Sequence, residues 1–172
     1  MERDQGKANA VSSMTAVNFS EMKISSNPVE TLVAFSIGSG IGMTIHDPVG
    51  CVGGVLNFIL PDSTKANGTN PAKSPFMFAD TGVAAFLKAL FKQGAKAENL
   101  KIVIAGGAHI IDQTGVFNIG QQNLEALKTS LGDYDVKIHH EAIGGTQNRA
   151  LSLEIGSGTS IIKTYGDGEE MV

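Results

Sequence analysis

Apolar positions along this chain repeat with a period near two in its first third and near 3.6 beyond residue 80. Val17–Ile24 carries enough apolar residues for a strand, which Ser26-Asn27-Pro28 ends. Three extended apolar runs follow, Leu32–Ile37, Ile41–His46 and Val52–Leu60. Gly38-Ser39-Gly40 separates the first two, Asp47-Pro48 turns the second into the third, and Pro61-Asp62-Ser63 closes the third. The stretch 62–75, rich in Asn, Gly, Ser, Thr, Pro and Lys, predicts a surface loop.

Then the period lengthens. Val83, Phe86, Leu87, Leu90 and Phe91 fall on one face of a helix predicted over Thr81–Gln93, with Asp80 as its cap and Gly94 as its stop. Lys101–Ala105 is apolar on both faces and suits a central strand. Asn118 and Gln121 have the spacing of a capping pair before a second helix striped by Leu124, Leu127 and Leu131 and ended by Gly132. Val136–Glu141 alternates as a strand. Leu151–Ile155 and Ser160–Tyr165, joined by Gly156-Ser157-Gly158, predict a hairpin. Residues 1–15 are polar and aperiodic, and a flexible N-terminal arm is expected there. Residues 16–172 show one composition regime, so a single domain is expected. Its class is α/β (α+β), a sheet-rich core with two amphipathic helices laid over it.

Composition narrows the partners. A formal net charge of −4 disfavours nucleic acid and anionic membrane. No apolar stretch reaches the roughly 18–20 residues of a membrane span, and no basic-then-apolar leader opens the chain, so a cytoplasmic location is expected. Cys51 is the sole cysteine, which excludes an internal disulfide.

Candidate chemistry centres on the three runs. Asn57 is an amide among Val55, Leu56, Phe58 and Ile59. Its unpaired burial would cost about 1–3 kcal/mol, so a hydrogen bond to backbone near Gly40 is expected. Ser39 reads as a turn serine and Cys51 as a small, partly buried thiol. His46, His109, His139 and His140 are scattered, and the last two, adjacent in an expected strand, point to opposite faces. No metal site is expected. His109 stands out because it leaves the central strand. Gly38–Gly42 superficially suggests a dinucleotide loop, but Met43-Thr44-Ile45 continues as a strand where a phosphate loop opens a helix. No cofactor is expected.

The ordered motifs resemble the chemoreceptor glutamine deamidase (CheD) family. That family has a Gly-Ser-Cys-Val turn where this chain has Gly38-Ser39-Gly40-Ile41, and Gly-x-x-His-x-x-Leu-Pro where it has Gly54 to Pro61. Phe78-Ala79-Asp80, Ala105-Gly106-Gly107-Ala108, Asn118-Ile119-Gly120 through Asn123, and Glu141 through Gly145 followed by Arg149 extend the resemblance over about residues 17–165. It implies a layered sandwich of mixed β-sheet with two helices, shared with cytotoxic necrotizing factors. It places the family's nucleophilic cysteine on Gly40, its histidine base on Asn57 and its threonine on Ala34. With all three reactive groups replaced, triad-based deamidation is not expected, and Ala34, Ser39, Gly40 and Asn57 mark a vestigial site. The resemblance implies a chemotaxis protein, a pseudoenzyme that binds a chemoreceptor or a CheC-type phosphatase. One alternative is an active amidohydrolase with Cys51 or Ser39 as a displaced nucleophile. Another is a groove that holds a small ligand.

Overall fold

The computed structural model describes residues 11–110, 114 and 116–172. Two five-stranded sheets face each other, and two helices cover the outer side of one of them. In chain order the strands are β1 (Ser13–Ala16), β2 (Glu21–Ser25), β3 (Glu30–Ile37), β4 (Ile41–Asp47) and β5 (Val52–Phe58). Then come α1 (Ala79–Lys92), β6 (Lys101–Gly106), α2 (Ile119–Gly132), β7 (His140–Ile143), β8 (Arg149–Glu154), β9 (Ser160–Thr164) and β10 (Gly168–Met171). One sheet runs β1-β3-β8-β9-β10, the other β2-β5-β4-β6-β7. Each is mixed: β1 pairs parallel with β3 and β6 with β7, while β4 is antiparallel to both its neighbours.

The second sheet is buried on both faces, which explains its near-continuous apolar strands. Ile41, Met43, Ile45, Leu56, Phe58, Ile102 and Ile104 point toward the helices and meet Val83, Phe86, Leu87, Leu90, Leu127 and Leu131. The alternate residues Val55, Val103 and Ala105 point the other way, onto Leu32, Ala34, Ile37, Leu151, Leu153 and Ile162 of the first sheet. The α1 stripe is therefore buried as its period predicts, with Phe91 only partly so.

Several local expectations are corrected. Residues 13–15, expected in the arm, lie in β1; the strand expected over 17–24 is β2, and Val17 sits outside it in the inter-sheet core. Asp80 does not cap α1: Phe78 holds that position, and the Asp80 carboxylate accepts from the Ser63 N–H and hydroxyl. Asn118 enters α2 in the left-handed conformation without a side-chain cap, and the Gln121 amide donates to Glu125 one turn ahead. The strand expected over 136–141 begins at His140, because His139 turns its Nδ1 back to accept from Ile102 N–H. Both expected hairpin strands pair as β8 and β9, and β10, whose residues are exposed, adds an edge that no apolar period announced.

Candidate active site and its missing groups

The Gly38–Gly40 turn between β3 and β4 is held by backbone from the neighbouring strand. Gly107 N–H donates to Gly40 C=O at 2.8 Å and Ala108 N–H to Gly38 C=O at 2.9 Å. The chain leaving β6 must bend sharply to reach these carbonyls, and Gly106 and Gly107 do so at φ of +127° and +60°, where a side chain is disfavoured. From α2, the buried Asn123 donates its amide to Ser39 C=O at 2.9 Å and to Ile59 C=O at 3.1 Å. One side chain thus ties the turn, the exit of β5 and a helix together. Arg149, at the start of β8, donates to Gly144 C=O at 2.7 Å and, weakly, to Gly106 C=O at 3.4 Å. Burial lowers the pKa of its guanidinium, against the opposing pull of Glu170 and Asp167.

These anchors frame a cavity of about 500 Å³. Its floor is Gly38, Ser39 and Gly40, its walls include Ile59, Ala108 and the first residues of α2, and Phe19 and Phe117 stand at its rim, 57% and 70% exposed. Ser36, Ser39, His109 and Asn148 supply its polar side chains, and no lysine, arginine, aspartate or glutamate lines it among the described residues.

The expected site residues divide. Ser39 and Gly40 line the cavity, and His109, singled out for its place after the central strand, lines it too. Asn57 does not. It pairs with Gly42 across β4 and β5, one register step from Ile41↔Phe58, so it is the strand neighbour of the turn. Its side chain, however, is 1% exposed, and neither its Oδ1 nor its Nδ2 has a hydrogen-bond partner, contrary to the bond expected for it. Ala34 is fully buried in the apolar packing between the sheets, so its side chain offers no hydroxyl there. Cys51 is exposed, not partly buried, and sits in the β4–β5 turn at the opposite end of β4 from Gly40. Seven strand residues at about 3.3 Å each put roughly 20 Å between them, too far for Cys51 to serve the Gly40 cavity.

Position 40 is also sterically closed. A Cβ built there would lie 2.5 Å from Phe58 C=O and 3.3 Å from Ile59 Cα, both backbone atoms with little room to move. Position 40 therefore carries no thiol, and a side chain there would have to displace backbone of β5 and the residue after it. Pattern reading missed Ser36, Asn148 and the aromatic rim, which are separated from the turn in sequence and joined to it only by folding. Asn123 was visible as the last residue of the Asn-Ile-Gly-x-x-Asn motif, without its role.

Residues 59–164 match the pattern of the CheD chemotactic sensory transduction family. A protein of Solibacter usitatus named probable chemoreceptor glutamine deamidase CheD is 36% identical over 159 residues, covering 91% of this chain and 92% of that one. A Syntrophus aciditrophicus protein named probable chemoreceptor glutamine deamidase CheD 1 is 38% identical over 151 residues, 87% of this chain and 93% of that one. The chemoreceptor glutamine deamidase CheD of Thermotoga maritima is 34% identical over 155 residues, 90% and 94% of the two chains. With the two packed sheets, the paired helices and the turn–cavity arrangement in the expected order, this chain belongs to the CheD family.

Proposed function

We propose that this protein is a non-hydrolysing CheD protein that binds a chemoreceptor segment at the Gly38–Gly40 cavity. The observation that carries the reading is the contrast at one place: the cavity persists, while position 40 has neither a thiol nor room for a Cβ. Glutamine hydrolysis by the family route needs an attacking thiolate and a base for its proton. Glycine supplies no nucleophile, and an asparagine amide accepts no proton near neutral pH. What survives suits recognition. Neutral hydrogen-bonding side chains on an apolar floor match an amide with an aliphatic stem, and the exposed Phe19 and Phe117 offer apolar contact to the segment that carries it. A CheC-type phosphatase is the second partner that the family resemblance suggests for the same face.

A serine-based hydrolase is the competing reading, because Ser39 and His109 line one cavity. The same assay separates the two. The full chain is mixed with a chemoreceptor cytoplasmic fragment, and both ammonia release and binding are followed. The expected result is saturable binding, ammonia at the level of buffer, and binding lost in Ser39→Trp, which fills the cavity from an exposed position. Ammonia release abolished by Ser39→Ala would establish the hydrolase instead. Binding indifferent to Ser39→Trp would remove the cavity from the function.

A further inference from the structure

The loop between β5 and α1 holds the chain's single Asn-Gly pair, Asn67-Gly68. We infer that Asn67 is a self-modification site. The Gly68 backbone nitrogen attacks its side-chain amide, ammonia leaves, and water converts the cyclic imide to aspartate and isoaspartate.

Three observations meet at this pair. Both residues are exposed. The Asn67 N–H donates to Lys65 C=O at 2.9 Å, whereas neither the Asn67 side-chain amide nor the Gly68 N–H has a hydrogen-bond partner among the described residues. The two groups that must react are therefore both free. A Cβ built at Gly68, where φ is +81°, would meet nothing within 4 Å, so no neighbouring atom blocks the nitrogen from closing on the amide carbon.

Other asparagines lack one or more of these conditions. Asn27 and Asn70 are exposed, but each precedes a proline, whose nitrogen has no hydrogen to lose. Their Oδ1 atoms are also held, by the N–H groups of Val29 at 3.3 Å and Ala72 at 3.0 Å. The Asn18 amide donates to Glu21 at 3.0 Å, and Asn57 and Asn123 are buried.

The reaction balances with water as its sole co-reactant. Gly68 N gives its proton to solvent and bonds to Asn67 Cγ, and the bond from Cγ to Nδ2 breaks as ammonia departs with a solvent proton. Water then opens the five-membered imide. Breaking the bond from Cγ to Gly68 N leaves aspartate, whereas breaking the original peptide bond leaves isoaspartate, with the chain routed through the side chain. No atom is oxidised or reduced. Either product makes the chain one unit more negative than its −4. The ends of the loop are fastened to α1, through Asp80 with Ser63 and the Thr81 hydroxyl with Pro75 C=O, so a change at its middle leaves the fold in place. No residue of this loop lines the Gly38–Gly40 cavity, and the inference is independent of the proposed binding function.

The test is incubation of the full chain at mildly alkaline pH without any receptor fragment, followed by tryptic mapping and enzymatic methylation of isoaspartate. The tryptic peptide 66–73 is expected to gain about 1 Da and to resolve into aspartyl and isoaspartyl forms. Its rate should lie within about threefold of that in the free peptide 64–72, since exposed loop tips are little restrained. Gly68→Ala should slow the gain about tenfold, because its methyl group crowds the attacking nitrogen, with the thermal midpoint reporting that the variant folds. Should that variant not fold, the ratio of native to free-peptide rates decides alone. A native rate about tenfold or more below the peptide's would show that the folded loop withholds the reacting groups, and would overturn the inference. Faster modification at another asparagine, or an unchanged rate in folded Gly68→Ala, would overturn it equally.

Discussion

Asp47 and Asn57 are both buried polar residues of the same sheet, and the fold treats them in opposite ways. Asp47, fully buried at the end of β4, has its carboxylate surrounded. Oδ1 accepts from the N–H groups of Val49 and Gly50 at 2.8 Å each, and Oδ2 from Lys96 N–H at 2.8 Å and, at the limit, the Asn99 amide at 3.5 Å. Burial is the largest single influence on its pKa and raises it, but the hydrogen bonds from Gly50, Lys96, Val49 and Asn99 together outweigh it and hold the carboxyl below its ordinary value of 3.8. Asn57, on the next strand, has no partner for either side-chain atom. The difference teaches which residue the architecture is built around. Asp47 organises the β4–β5 turn and fastens it to the loop after α1. Asn57 occupies a place that the family resemblance assigns to a base, and nothing in the present packing answers its polarity.

The comparison is broken most severely at Asp47. Asp47→Ala should destabilise the fold by about 3 kcal/mol, because several N–H donors lose their acceptor together; urea titration followed by far-UV circular dichroism measures this. The sign of the pH effect follows from the lowered folded pKa. Stability contributed by Asp47 is present above the unfolded value of 3.8 and is lost as the pH falls through the folded value. Asp47→Asn should therefore show a shallower loss of stability below pH 4 than the native chain. A steeper loss would mean that the hydrogen bonds do not favour the ionised form.

Next in size is the Gly38–Gly40 turn. Gly40→Cys should cost about 2 kcal/mol, since its Cβ is forced against the Phe58 carbonyl. Differential scanning calorimetry decides it, and a variant as stable as the native chain would show that β4 and β5 yield readily at this point. The expected sign reverses at Asn57. Asn57→Val replaces two unsatisfied polar atoms with a strand-favouring apolar side chain and should raise stability by about 1 kcal/mol. A loss of that size would reveal hydrogen bonding that Asn57 makes in solution. The smallest effect belongs to Cys51→Ser, an exposed turn position whose thiol makes only long contacts. A change within about 0.5 kcal/mol is expected in the same calorimetric experiment.

Much of the fold could be read from apolar periodicity because burial imposes it. The three runs became β3, β4 and β5, and the stripe at Val83, Phe86, Leu87 and Leu90 became the buried face of α1. Element ends were less legible, because hydrogen bonds from distant residues decide them. Asp80 and Asn118 have suitable capping chemistry, yet Asp80 is claimed by Ser63 and Asn118 turns left-handed. The parallel pairing of β1 with β3, and the edge strand β10, have no period of their own to announce them.

At the site, the chain's own residues determined which groups three positions can offer: no arrangement gives Gly40 a thiol, Ala34 a hydroxyl or Asn57 a basic nitrogen. Tertiary structure alone decided what those positions became. Whether Asn57 found a partner depended on which atoms the opposing sheet brought near it, and apolar packing there left it without one. Likewise, the cavity takes Phe19, Ser39, His109, Phe117 and Asn148 from five separate parts of the chain. Side-chain periodicity reports which face of an element is buried, whereas a cavity is the space left where several elements end, and only their packing defines it.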